Sequence, residues 1–115
     1  MQDATSEFFE RLRARGHEPM LRQGHGTLRF EIGDGRRERW YVTVDGGDVS
    51  VSHRNAKADC TVRASRELFD GMATGEVNAT AALLRGAIGA EGDPSLLMLF
   101  QRLFPGPPRA GEDGA

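Results

Sequence analysis

Hydrophobic positions along the chain change rhythm several times, and each change marks an element. Phe8, Phe9 and Leu12 recur at helical spacing; Asp3 can cap that helix and Gly16 can end it. The stretch from His17 to Gly26 is irregular, with Pro19 as a breaker. Period-two alternation follows. "TLRFEI" places Leu28, Phe30 and Ile32 on one side, with Arg29 and Glu31 on the other. "RWYVTV" does the same with Trp40, Val42 and Val44, and "DVSVS" with Val49 and Val51. Gly33-Asp34-Gly35 and Asp45-Gly46-Gly47 are turn chemistry between these runs. The pattern predicts an antiparallel meander with one buried and one wet face, and such a sheet needs a helical cover.

The fourth run, "ADCTVRAS", alternates Ala58, Cys60, Val62 and Ala64 with Asp59, Thr61 and Arg63. Ser65 then caps a helix carrying Leu68, Phe69 and Met72, which Gly75 ends. Asn78 caps a short alanine-rich helix that stops near Gly86, and "AIGAE" suits a short fifth strand. Asp93 and Pro94 open the last helix, and Pro105 marks its stop. Strands followed by helices read as an α+β fold: one domain over residues 1–104. The tail 105–115, "PGPPRAGEDGA", has little to bury and is expected to be disordered.

The last two helices differ in bulk. At roughly 100° per residue, Leu96, Leu97, Leu99, Phe100, Leu103 and Phe104 fall within an arc of about 160°, with Met98 nearly opposite. That arc is wider than packing on a sheet requires. The preceding helix is the reverse: Ala79, Ala81 and Ala82 are short, and only Leu83 and Leu84 are large. Small side chains facing an over-wide apolar helix can leave a dry void that favours an apolar guest. The same pattern also suits a well-buried terminal helix or one that meets a second chain.

Composition narrows the function. The chain has 115 residues, 38% hydrophobic and 28% charged, with a formal net charge of −2. The 15 basic residues are almost all arginine and are scattered, which argues against a nucleic-acid footprint. A single cysteine, Cys60, leaves no internal disulfide framework. No apolar run approaches bilayer length and no cleavable signal pattern stands out, so a cytoplasmic protein is the simplest expectation.

Candidate chemistry is sparse. Cys60 falls on the inward side of its strand with no Cys/His signature around it, which reads as a core thiol. His17, His25 and His53 share no metal-ligand spacing. Asp59 and Arg63 can pair on one strand face. Arg36, Arg37 and Arg39 read as a solvated turn or as a docking spot for an acidic head group. No cofactor, no metal and no catalytic group is expected.

The order and spacing of these segments resemble the sterol carrier protein 2 family of nonspecific lipid-transfer domains. The resemblance is carried by Trp40-x-Val42-x-Val44-x-Gly46, by "ADCTVRAS", and above all by "ELFDGMATGEVNATAALLRGAIGAEGDPSLLMLF" with Gly75, Asn78, Gly86, Ile88 and Gly92-Asp93. It covers roughly Thr5 to Phe104. It implies a five-stranded, mostly antiparallel sheet with helices covering one face, and an apolar tunnel between the layers that binds lipid without covalent chemistry. Carried over, the tunnel wall is Trp40, Val42, Leu68, Met72, Leu83, Leu84, Ile88, Leu96, Leu99, Phe100, Leu103 and Phe104. Ala87 and Gly89 stand where the family often has lysines, and the terminal Gly-Glu-Asp-Gly-Ala is no peroxisomal address. In both respects the chain looks like a short bacterial stand-alone member.

The leading expectation is therefore a carrier or presenter of a lipid, fatty acyl or sterol-like ligand, in transient contact with a membrane or an enzyme and acting as monomer or homodimer. The alternative is a non-catalytic accessory or dimerisation domain whose apolar last helix meets a partner protein. A small catalyst on a hydrophobic substrate is a third reading, lacking an inward acid/base constellation.

Overall fold

The computed structural model describes residues 4–33 and 38–104, without the side chains of Met20 and Phe100. The expected cap Asp3, the turn residues Asp34 and Gly35, Arg36, Arg37 and the tail 105–115 lie outside the described residues. The chain forms α1 (Ala4–Arg15), a short 3-10 turn (Pro19–Leu21), β1 (His25–Ile32), β2 (Glu38–Asp45), β3 (Asp48–Ser52) and β4 (Cys60–Ala64). There follow α2 (Arg66–Thr74), α3 (Ala79–Leu84), β5 (Gly89–Gly92) and α4 (Pro94–Arg102).

The caps read from the sequence are in place. The Ser65 side chain accepts from the Leu68 N–H, Asn78 from the Ala81 N–H, and Asp93 from the Ser95 N–H. At the start of α1, Asp70 of α2 accepts from the Thr5 N–H at 3.0 Å. A neighbouring helix thus satisfies a donor that the first turn leaves open.

Strand order is β3-β2-β1-β4-β5. All neighbours are antiparallel except β1 and β4, which run parallel, with Leu28 opposite Cys60 and Phe30 opposite Val62. The fold is α+β, as expected. The parallel pair forces a crossover from edge strand β3 past two strands to β4. No alternation pattern announces that step.

One sheet face carries Leu28, Phe30, Trp40, Val42, Val44, Val49, Val51, Cys60 and Val62, all buried. Helices α1, α2 and the chain after α4 cover it with aromatic rings. Phe9 stacks on Trp40 at 4.4 Å and on Phe69 at 5.4 Å, and Phe69 meets Phe30 edge-on at 5.8 Å.

The other face departs from the expected wet surface. Tyr41, Glu31 and Thr61 on it are buried, at 3%, 5% and 5% exposure. The crossover accounts for Tyr41: its hydroxyl donates to Asn55 Oδ1 at 2.8 Å, pinning the segment after β3 against this face. Asp59 and Arg63 do not form the expected pair. Asp59 Oδ2 accepts from the Thr27 N–H at 2.9 Å, while Arg63 binds Glu31 at 3.0 Å and Glu91 at 2.9 Å.

Glu31 is the hub of this face. Arg29 and Arg39 approach its Oε2 at 3.4 and 3.5 Å, and Arg63 its Oε1. Burial opposes its ionisation, but the Arg63 hydrogen bond and the charges of Arg63, Arg39 and Arg29 outweigh it and hold the carboxyl below its usual value. A carboxyl with a depressed folded pKa adds stability above its unfolded pKa and loses it as pH falls through the folded one. Thermal melts should therefore show stability decreasing below about pH 5 in part through this group. Glu31→Gln should cost about 1–3 kcal/mol at neutral pH and shrink the acid-side slope. An unchanged slope in the variant would show that Glu31 carries none of it.

Candidate ligand-binding site

Most of the sequence-derived wall residues lie in one dense interior. Val42 and Met72 are fully buried, and Leu96, Trp40 and Ile88 nearly so. Trp40 Nε1 donates to Glu38 Oε1 at 2.8 Å, so even its polar atom is satisfied. Leu83, Leu99 and Leu103 are partly buried against this core. Leu96 and Leu99 sit so close over Gly26 and Gly24 that an added Cβ would lie 2.7 and 2.2 Å from their methyl carbons. That close approach seats α4 on the end of the sheet.

One wall assignment faces outward. Leu84 is 82% exposed. In α3 the buried residues are Ala79 and Ala82, and their small size lets the helix lie close and turns Leu84 outward. Leu68 is partly buried against the core and also lines an open depression with Val77, Thr74 and Arg85. The side chain of Phe100 lies outside those described.

Among the described residues, aromatic rings pack between the sheet and the helices. Phe104 lies at one side of them, stacked face to face on Phe8 at 4.7 Å and meeting Phe69 edge-on at 5.3 Å. Just outside that stack lies a groove of about 340 Å³ between α1, α2 and the chain end after α4. Phe8, Leu12, Ala73, Leu103 and Phe104 give it an apolar floor; Arg11, Arg15, Arg102 and Glu18 form its rim. Among the described lining residues are three arginines and one glutamate, and Arg15 pairs with Glu18. An apolar bed edged by guanidinium groups suits an amphiphile with an acidic head.

Leu103 and Phe104 were legible as wall residues; the α1 half of the groove was not. The available signal was paired spacing: Phe8 and Leu12 lie four apart, and Arg11 and Arg15 lie four apart on the adjacent strip of α1.

Burial, then the charges of Asp93 and Glu91, pushes the Cys60 thiol pKa up, leaving it an inert core thiol. Among the described residues no cluster of three His, Cys, Asp or Glu side chains is placed to hold a metal ion. Nor is any helix long and apolar enough to cross a membrane.

The model of the SCP-2 sterol transfer family matches residues 7–105, nearly the whole chain. The chain belongs to that family. Solved structures agree on the sterol carrier fold. Palmitated SCP2L2 from Aedes aegypti superimposes with a TM-score of 0.71 at 23% identity, covering 95% of this chain and 100% of its own. Sterol carrier protein 2 of the same mosquito, in complex with a C16 fatty acid, gives 0.66 at 20% identity over 89% and 94%. The sec-alkyl sulfatase PisA1 contains the same fold, with a TM-score of 0.64 and 22% identity, over 92% of this chain but only 17% of the sulfatase. Among curated proteins, no sequence matches this one.

Proposed function

We propose that this SCP-2 chain binds a fatty acyl or similar amphiphile, tail in the groove beside Phe8 and Phe104 and acidic head on the arginine rim, as carrier or presenter. The observation that carries the reading is that rim: the guanidinium groups of Arg11 and Arg15 at the edge of an otherwise apolar bed. The palmitate held by the two mosquito proteins supports a fatty acyl guest. Burying about 200 Å² of tail at about 25 cal/mol per Å² contributes roughly 5 kcal/mol before ordering costs.

A longer tail requires more room than the groove provides. Phe104 lies past the last residue of α4, so an outward tilt of that helix lifts its ring off Phe8 and opens the interior behind it. The family's tunnel then exists in the loaded state, lined by Met72, Ile88 and Leu96. Hydrogen exchange over residues 96–104 should rise on addition of palmitate, because loading lifts this segment off its packing; unchanged protection would remove the gate from the proposal.

Native mass spectrometry of protein purified without detergent tests the binding itself. A retained or added fatty acid mass is expected; protein that stays ligand-free after incubation with palmitate would end the reading. Arg11→Glu, which reverses a charge at an exposed rim position, should weaken binding of a fluorescent fatty acid about tenfold or more while leaving the fold intact.

A second reading has its own support. In PisA1 this fold is one part of a much larger enzyme, so a domain of this kind also serves beside catalysis. On that reading the chain presents a hydrophobic substrate to a separate enzyme, and the same groove holds it.

A further inference from the structure

Two large apolar side chains are exposed among the described residues: Leu84 at 82% and Met98 at 65%. They belong to different helices but to one corner of the surface. Thr80 Oγ1 donates to Gln101 Oε1 at 3.0 Å, joining α3 to α4. Leu84 lies one turn beyond Thr80 on the same strip of α3, and Met98 one turn before Gln101 on α4. Each exposed side chain is thus within a helical turn of the same hydrogen bond. Arg85, also exposed, follows Leu84 in the chain.

We infer that this α3–α4 corner is a membrane-docking surface, with Leu84 and Met98 entering an anionic lipid interface and Arg85 meeting its head groups. Two side chains cover far less than the ~800 Å² per partner of a standard stable protein interface, which disfavours a second copy of the chain as occupant. A lipid surface needs no shaped partner: apolar side chains flanked by cations are enough for shallow, reversible insertion. The placement also couples to the groove. The helix that offers Met98 to the lipid leads at its end into Leu103 and Phe104, so docking strains the element that covers the ligand. That coupling rests on the lipid-binding reading, whereas the docking surface does not.

Sedimentation with vesicles of phosphatidylcholine containing a minority of phosphatidylglycerol tests it, using the full chain. The wild type should co-sediment, and salt should weaken the association. Leu84→Ser with Met98→Gln should lower vesicle partitioning about tenfold or more, because both changes are on the surface and remove only inserted apolar area. The double variant should still bind a fluorescent fatty acid in solution. Wild-type protein that ignores the vesicles, or a double variant that binds them equally well, overturns the inference. So does a wild-type dimer on size exclusion that the two substitutions dissolve, which would assign the corner to a second copy. Vesicle binding without any fatty acid binding would sustain the docking surface and end the groove proposal instead.

Discussion

Phe69→Ala should lower stability by about 3–5 kcal/mol, a large part of what a domain of this size has to lose. Phe69 is completely buried. Its ring touches four others, those of Phe8, Phe9, Phe30 and Phe104, which reach it from α1, the sheet and the chain end after α4. No neighbouring side chain can collapse into the cavity without breaking a contact elsewhere in the cluster, so the cost should sit at the upper end of the range. A melting temperature lowered by some 15 °C or more is the expected reading. A shift under about 5 °C would mean that the rings repack easily. Phe69→Leu should recover part of the loss. An alkyl chain that enters this interior has to displace these same rings, so the variant's cavity should also raise its affinity for short apolar guests such as benzene, by analogy with other engineered dry cavities.

The alternation of Leu28, Phe30 and Ile32, and the caps Ser65, Asn78 and Asp93, were legible because each depends on its own local sequence. Period-two burial needs only a pleat, and a cap needs only one oxygen near one N–H. What could not be read was non-local. The parallel pairing of β1 with β4 is set by where the crossover runs, and the burial of Glu31 and Tyr41 follows from it. Both residues sit at outward positions of their strands, where alternation alone assigns them to water. Leu84 was misplaced for a related reason: helical spacing shows which residues share a face, but Ala79 and Ala82 decide how closely α3 lies and so which face is inward. The groove was half legible. The apolar arc of the last helix led to Leu103 and Phe104, while Phe8, Arg11 and Arg15 belong to a helix almost a hundred residues away in the chain. Stacked rings occupy part of the interior where the resemblance implies a tunnel, a property of side-chain conformation that no spacing records.

Gly92→Ala should be nearly as damaging, by a different mechanism. Gly92 closes β5 opposite Cys60 and immediately precedes the Asp93 cap of α4. Its φ is +116°, and an added Cβ would lie 2.3 Å from the Asp59 carbonyl oxygen and 2.7 Å from Cys60 Cα. Those are backbone atoms and cannot rotate aside, so either β5 leaves β4 or the first turn of α4 shifts. The strained backbone alone costs about 1–3 kcal/mol, and the clash adds to it. Gly86→Ala separates the two terms: φ there is +78°, but a Cβ would meet nothing within 4 Å. Thermal melts should place Gly86→Ala about 1–2 kcal/mol below wild type, from backbone strain alone, and Gly92→Ala at least about 2 kcal/mol lower again. Equal losses would mean that β5 yields without cost. Because Asp59 also accepts from the Asp93 N–H at 2.9 Å, the displaced strand should carry the base of α4 with it. Hydrogen exchange in the Gly92→Ala protein should then rise first in α4 rather than in β1 or β2. That order of opening would identify the β5–α4 junction as the hinge on which the ligand cover turns.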